Sequence, residues 1–462
     1  MKELFKFDND EENFLKNGGL DYSKVPFSLV SKYLDNFLEF GLNNKSVVSI
    51  FVHESKLLMP LLITLDGIQC SINLINTNMF NNLNSEKSID YNYLITDDSN
   101  IKFYDKVFEL IFLGKKIFIY KMTVVCKKSI NQDKKEYIFY TSGTSGENSK
   151  VFKTNEILVN EAKGIIKTLN INKKDKILCI APLFHSYGQA FGCFAAALAG
   201  SWVKYLPAFT LPTHIITELN KEKYTILITT PPYYERIYKE LGQFDSLRYM
   251  LSAGGKLSKS VIESGLMINN VYGSTETGAM TIQRYENGGK CDCVGTEIHG
   301  VKITLGKKIE VNSGHLLRKL LVYTPYLAIK TEYENETIEF KDNLIKLKDI
   351  GYRDENGNLN IYGRIDNIIN INGEKISLVE VEEAFKKLEF IEEVKIIKKT
   401  DDNLLEYMVA YIVLNKVYDV TYIRKRCSKY LSRSKIPKII NLVSKLKKTE
   451  TGKIMYLQED IL

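Results

Sequence analysis

The 462-residue chain has no Cys-x-x-Cys pair, and its seven cysteines (70, 126, 179, 193, 291, 293 and 427) are an odd number. That speaks against a disulfide scaffold and a zinc knuckle. Cys291 and Cys293 stand two apart, with no His or Cys pair nearby to complete a metal site. A reduced, cytoplasmic chain is the expectation. Residues 1–10 are polar and charged, without the apolar stretch of a signal peptide. The longest apolar run, Phe191–Val203, is too short for a membrane span and rich in Ala and Gly, so it reads as a buried helix. Internal repeats, low-complexity tracts and Pro-rich linkers are missing too. No Gly-x-Gly-x-x-Gly follows a strand pattern, and no Gly-Lys-Ser/Thr closes a loop, so neither a Rossmann dinucleotide site nor a Walker P-loop is supported.

Apolar residues make up 44% and charged residues 26%, an ordinary globular balance that excludes collagen-like, disordered and membrane-embedded classes. The net charge of +7 is small for this length and weak evidence for nucleic acid. It is unevenly spread. Thr421–Lys453 holds eleven basic residues and one acid, Glu450. The bland reading is a solvated basic face; the sharper one is a docking surface for something acidic.

At roughly 100–200 residues per domain the length allows two to four domains. The first two-thirds alternates strand-like runs (Val47–Val52, Tyr93–Thr96, Lys116–Tyr120, Tyr137–Tyr140, Lys176–Ile180, Thr225–Thr229, Arg248–Leu251, Ile268–Val271) with helical patterns (Glu156–Leu169, Gln189–Ala199, Tyr233–Leu241, Lys259–Gly265). Such alternation predicts mostly parallel sheets covered by helices. Ligands of these sheets sit at the loops after the strand C-terminal ends. After about Thr281 short antiparallel strands are expected, with Asn356-Gly357 and Asn372-Gly373 as hairpin turns. The fold class is therefore α/β, with a large domain over 1–365 that includes a β-rich subdomain. A small α+β domain over 366–462 follows.

Four segments carry chemistry. Tyr140-Thr141-Ser142-Gly143-Thr144-Ser145-Gly146 ends a strand in small and hydroxyl residues, with Lys150 close behind. Backbone N–H groups freed by glycine, joined by hydroxyls, suit a phosphate; a plain flexible loop is the alternative. Tyr272-Gly273-Ser274-Thr275-Glu276 adds a carboxylate, which makes sense if Mg²⁺ lies between it and phosphates. Asp349 suits a ribose diol, and Arg364 in Gly363-Arg364-Ile365-Asp366 the same sugar or the phosphates. Lys453 follows Gly452 on a C-terminal loop able to reach a cleft. Taken singly, the last two segments read as solvated surface.

In order and spacing these segments resemble the adenylate-forming (AMP-binding) superfamily of acyl- and aryl-CoA synthetases and stand-alone adenylation enzymes. The resemblance runs from about Val47 to Met455. It also takes in Ser252-Ala253-Gly254-Gly255, near adenine and substrate, and Ala181–Gly188, at the acyl pocket. It implies that a carboxylic acid is activated with Mg-ATP to acyl-AMP with release of pyrophosphate. A thiol of CoA or of carrier-protein phosphopantetheine then attacks after the small domain, a mobile lid, rotates. By the same resemblance, Thr141, Ser142, Gly143, Thr144, Ser145 and Gly146 would hold phosphates, and Gly254, Gly255, Tyr272, Gly273 and Ser274 would surround the nucleotide. Thr275 would bond the α-phosphate, Glu276 would bind Mg²⁺, Asp349 and Arg364 would take the ribose, and His185 would stand at the acyl pocket. Lys453 would bridge carboxylate and α-phosphate in the first step, Asp366 would be the hinge, and Gly373 would line the thiol tunnel.

The sequence departs from the family pattern in places. Ser149 stands where the phosphate-loop Lys belongs, with Lys150 one residue later, and Leu347-Lys348-Asp349 keeps only the Asp of its triplet. Lys447 and Tyr456 replace the usual Pro and Arg of the terminal motif, and the stretch from Val47 to Tyr137 is abbreviated. None of these changes removes a residue essential to the chemistry.

Amino-acid-activating members carry an Asp after the Phe equivalent to Phe184. Here His185 stands there, and a buried ammonium without a partner is costly. An acyl or aryl acid is therefore expected rather than an amino acid. Phe184, Tyr187, Phe191 and Phe194 suit either an acyl pocket or the core of a helix. A nucleotide-binding sensor or scaffold of weakened catalysis is the competing function; a basic RNA-binding protein lacks the aromatic motifs it would need.

Overall fold

The computed structural model describes residues 7–8, 14–16, 19–81, 91–99, 101, 106–121, 135–142, 148–207, 209–283, 293–309, 315–333, 336–371, 374–401, 405–447 and 454. Two large sheets carry most of the chain. One has four parallel strands at its centre, Tyr137–Ser142, Ser71–Leu74, Val47–Phe51 and Tyr93–Thr96. The other has five, Trp202–Tyr205, Lys176–Cys179, Ile226–Thr229, Tyr249–Ala253 and Ile268–Ser274. The parallel architecture expected from the strand–helix alternation is present. Its strand ends agree with the sequence pattern to within a few residues.

Fully buried strands account for that agreement. Ile226–Thr229 and Val47–Phe51 are buried along their whole length, as parallel strands covered on both faces must be. Alternate residues serve different cores. Ile177, Ile226, Ile228, Leu251 and Ala253 join the main cluster, while Leu178, Leu227 and Met250 pack with Ile215, Tyr234, Ile237 and Val261 of the covering helices. The apolar run Phe191–Val203, expected to be one buried helix, is helical only to Leu198; Trp202 and Val203 instead open the parallel strand Trp202–Tyr205, where β-branched and aromatic residues pair with Lys176–Cys179. Gly188–Ala195 is a π-helix, all of it buried, and continues as a short α-helix over Ala196–Leu198.

The second sheet extends through antiparallel strands Gly278–Ile282, Cys293–Glu297, Leu359–Arg364, Leu344–Arg353, Arg318–Tyr323 and Lys302–Lys308, the β-rich portion. Asp354–Asn358, which contains Asn356-Gly357, turns one of these strands into the next. Beyond residue 366 a separate core forms, from Ile369 to Ile440. It lies under the paired strands Ile368–Ile371 and Glu374–Ser377, the helix Leu378–Lys386 and a three-stranded sheet. The Asn372-Gly373 turn itself lies outside the described residues, but the strands flanking it pair as a hairpin. Among the described residues no helix is long and apolar enough to cross a membrane.

Candidate active site

Three of the sequence motifs follow C-terminal ends of parallel strands in the second sheet. Residues 181–188 follow Lys176–Cys179, Gly254-Gly255 follow Tyr249–Ala253, and Tyr272–Glu276 close Ile268–Ser274 and turn into Gly278–Ile282. The last two strands are neighbours, paired Ala253 to Val271. Gly254 has φ +88°, left-handed backbone that suits glycine, and both glycines are exposed.

The Tyr272–Glu276 turn is fixed from several sides. A β-bulge falls between Tyr272 and Gly273, and Gly273 passes so near the returning strand that a Cβ would lie 2.4 Å from the Gly278 carbonyl oxygen. The Thr277 hydroxyl receives the Ser274 N–H at 3.1 Å, and the Thr324 hydroxyl donates to the Thr277 carbonyl at 3.2 Å. The Ala328 N–H donates to the Glu276 carbonyl at 2.7 Å. This leaves Ser274 exposed and the Thr275 and Glu276 side chains half-buried. The Thr275 hydroxyl lies 3.3 Å from that of Ser186, which joins this turn to the 181–188 segment.

Asp349 and Arg364 were weak signals in the sequence, and strand pairing brings them together. They are directly opposed on the antiparallel strands Leu344–Arg353 and Leu359–Arg364, where opposite charges attract. Burial lifts the Asp349 carboxyl above its usual range, against the pull of Arg364 and the Tyr272 hydroxyl, and Asp366 adds to the rise. The Tyr272 hydroxyl is itself raised well above its ordinary value, by burial and then by the Asp349 charge. Arg364 donates through Nε and Nη2 to both oxygens of Asp366, at 3.0 and 2.9 Å, and Lys348 lies 3.7 Å away. Burial pushes the Asp366 carboxyl up, but these cations outweigh it and hold the group low. Thus Tyr272, Asp349, Arg364 and Asp366 form one coupled set.

The sequence reading missed Tyr333. Its hydroxyl is raised by burial and by the charges of Glu276 and Glu336, against the pull of Arg364. No local signal marks it, because its neighbours come from other strands.

The strands on either side of the glycine- and hydroxyl-rich segment pair with each other. Tyr137–Ser142 pairs antiparallel with Asn148–Lys153, a strand the sequence reading did not anticipate. Gly143, Thr144, Ser145 and Gly146 lie outside the described residues, as do Gly373 and Lys453; Ser142 closes its strand. At the base of the turn the Thr141 and Ser149 hydroxyls are 2.6 Å apart. Side chains alternate along a strand. Ser149 and Val151 therefore face the main core, whereas Lys150 shares the other face with Tyr140 and Phe152 and is registered against Glu332. Lys150 thus leaves the hairpin on the side opposite Ser149.

Residues 328–332 connect this hairpin to the Tyr272–Glu276 turn. Ala328 holds the Glu276 carbonyl, Ile329 donates to the Phe152 carbonyl at 2.8 Å, and Lys330–Glu332 pairs with Asn148–Lys153. His185 is half-buried, its ring 4.7 Å from that of Phe184, and its carbonyl receives the Gln189 N–H at 3.0 Å. Both Gln189 amide atoms and the Tyr187 hydroxyl are buried without a partner among the described residues.

Glycine and hydroxyl loops at strand ends, with an aromatic ring, two carboxylates and an arginine gathered beside them, define a nucleotide-binding α/β protein. Comparison with known proteins makes this specific. Residues 79–310 match the family described as AMP-binding enzyme, and residues 380–453 match the AMP-binding enzyme C-terminal domain. A 2-succinylbenzoate–CoA ligase of Listeria monocytogenes serotype 4b (strain F2365) is 31% identical over 326 residues, which are 69% of this chain and 68% of that protein. Bacitracin synthase 3 of Bacillus licheniformis is 26% identical over 69% of this chain and 5% of its own length. The structure of O-succinylbenzoate coenzyme A synthetase from Bacillus subtilis with AMP superposes with TM-score 0.74 at 20% identity, covering 94% of this chain and 92% of that one. ATP-bound MatB from Rhodopseudomonas palustris gives TM-score 0.71 at 16% identity, covering 93% and 90%. The chain belongs to the AMP-binding enzyme family.

Proposed function

We propose that this chain is an ATP-dependent acid–thiol ligase. A carboxylate oxygen of the substrate attacks the α-phosphorus of ATP, pyrophosphate leaves, and acyl-AMP is formed. A thiol sulfur then attacks the acyl carbon and AMP leaves. The observation that carries the reading is the set of Tyr272, Asp349 and Arg364 beside the Thr275–Glu276 turn. It offers a ring face for a base, a carboxylate acceptor for sugar hydroxyls and a cation for phosphate.

The residues fit Mg-ATP. Glu276 is a half-exposed carboxylate, and no group of three or more His, Cys, Asp or Glu able to hold a metal occurs among the described residues. A lone carboxylate suits Mg²⁺, which keeps its waters and is bound mainly through substrate phosphates. Glu276 would hold the ion, which neutralises phosphate charge when bound. Thr275 would bond the α-phosphate, and the hydroxyls and backbone N–H groups of residues 141–146 would receive the other phosphates. Asp349 would accept from the ribose, and Lys453 would orient the carboxylate in the first step. We take residue 366 as the start of a small domain that rotates between the two steps. Gly373 would then let the thiol arm approach closely.

We take the acid to be an aryl or acyl carboxylate. His185 offers no anion to an α-ammonium, and Phe184 and Tyr187 supply rings nearby. The relatives named as 2-succinylbenzoate–CoA ligases make an aryl acid the first to try and CoA the first acceptor. The basic residues of 421–453 suit an anionic acceptor, either CoA or an acidic carrier protein. The test is pyrophosphate release with Mg-ATP across 2-succinylbenzoate, benzoates, fatty acids and amino acids, with and without CoA. Release with an aryl or acyl acid, stimulated by CoA, is expected. Release with amino acids alone would overturn the substrate reading. Release indifferent to CoA would turn the acceptor to a carrier protein, and ATP binding without release would favour a sensor or scaffold.

A further inference from the structure

Lys153 and Glu161 make the most deeply buried ion pair among the described residues, with side chains 0% and 3% exposed and Nζ to Oε2 at 3.0 Å. Such a pair is costly to desolvate, and apolar residues of similar volume often serve stability as well or better. Its placement suggests a different use. Lys153 ends the strand that returns from the phosphate hairpin and is registered against Tyr137. The Thr154 hydroxyl then caps the helix Asn155–Leu169 by accepting from the Ile157 N–H at 3.2 Å, and two turns on the helix presents Glu161.

The second Glu161 oxygen, Oε1, accepts the Ala279 N–H at 2.9 Å, immediately after the turn that bears Thr275 and Glu276. Gly278, at φ +69°, lies against the same carboxylate; a Cβ there would be 2.8 Å from it. One carboxylate thus holds the exit strand of one loop and the exit strand of the other, behind both. Lys153 lies against it as a counter-charge, so the pair adds no net charge behind the two loops.

We infer that Lys153 and Glu161 are positioning residues that set the phosphate hairpin against the Thr275–Glu276 turn. The inference rests on the reading that this turn serves ATP in adenylation. Misplacing a reacting group by about 1 Å can cost roughly 100-fold, so the pair acts on turnover more than on affinity. Glu161 does this through its bond to Ala279, and Lys153 through Glu161.

Two double variants test this. Lys153→Met with Glu161→Leu removes the charges and the acceptor together. Lys153→Met with Glu161→Gln keeps an acceptor for Ala279 and needs no buried charge. Pyrophosphate release and melting temperature are measured for both against the parent protein. The Met/Leu variant is expected to melt near the parent but to lose roughly 10–100-fold in kcat, with KM for ATP within about threefold. The Met/Gln variant is expected to recover most of that kcat. A folded Met/Leu variant with kcat within about twofold of the parent overturns the inference, as does a loss confined to KM. Should Met/Leu not fold, a folded Met/Gln variant that has lost tenfold or more in kcat overturns it. If the parent protein releases no pyrophosphate with any acid, the adenylation reading fails first.

Discussion

At the residue scale, identical side-chain types have opposite environments and therefore different uses. Asp349 and Asp366 flank one guanidinium, yet burial raises the first carboxyl and the bonds of Arg364 lower the second. The signs for folding differ accordingly. Asp349 favours the folded state at low pH, and that contribution is lost as pH rises through its raised value. The Asp366 contribution is present above the ordinary carboxylate range and lost as pH falls through its lowered value. In the ribose role proposed for it, Asp349 would accept from two hydroxyls as the ionised carboxylate. AMP affinity measured by calorimetry is expected to weaken on acidification at a pH above the ordinary aspartate range, and Asp349→Asn to flatten that profile while weakening binding at neutral pH. An unchanged profile would assign the titration to another group. Glu276→Gln is expected to lower Mg-ATP-dependent turnover at least tenfold, about 1.4 kcal/mol of transition-state stabilisation. Turnover within twofold would put the metal elsewhere.

At the element scale, strands buried on both faces announced themselves as apolar runs, and the loops after them as glycine and hydroxyl clusters. Two of the strands that escaped notice carry buried polar groups satisfied from afar. Asn148–Lys153 reads as a solvated stretch because Lys150 and Lys153 interrupt it, yet Lys153 is fully buried against a carboxylate eight residues on. Ser71–Leu74 carries Asn73, whose amide donates to the Ser49 hydroxyl at 3.3 Å on the neighbouring strand. Gly278 tests how tightly the turn is held. Gly278→Ala is expected to destabilise by at least about 1–2 kcal/mol from the left-handed backbone alone, with the Glu161 contact adding to it, and to lower the melting temperature by several degrees. An unchanged melting temperature would mean that the turn relaxes at no cost.

At the scale of the whole molecule, residues 328–332 tie the Tyr272–Glu276 turn of one sheet to the strand Asn148–Lys153 of the other, and a separate core forms beyond residue 366. The order and spacing of motifs made the family legible from Val47 onwards, because a shared fold carries the same groups on the same elements in the same chain order. The acid was not legible, since no local sequence pattern records the joint shape of the elements that would enclose it. A division into two domains predicts separable half-reactions. Lys453→Ala is expected to abolish pyrophosphate release from acid and ATP while sparing thioester formation from supplied acyl-AMP; equal loss in both would refute that role.

The attack of a carboxylate on the α-phosphorus of ATP can be followed atom by atom. With an acid that supports turnover, labelled with ¹⁸O in both carboxyl oxygens, and CoA present, mass spectrometry of the products should find one ¹⁸O in each AMP and none in pyrophosphate. Unlabelled AMP, or label in inorganic phosphate released alongside ADP, would contradict adenylation as the reaction of this site.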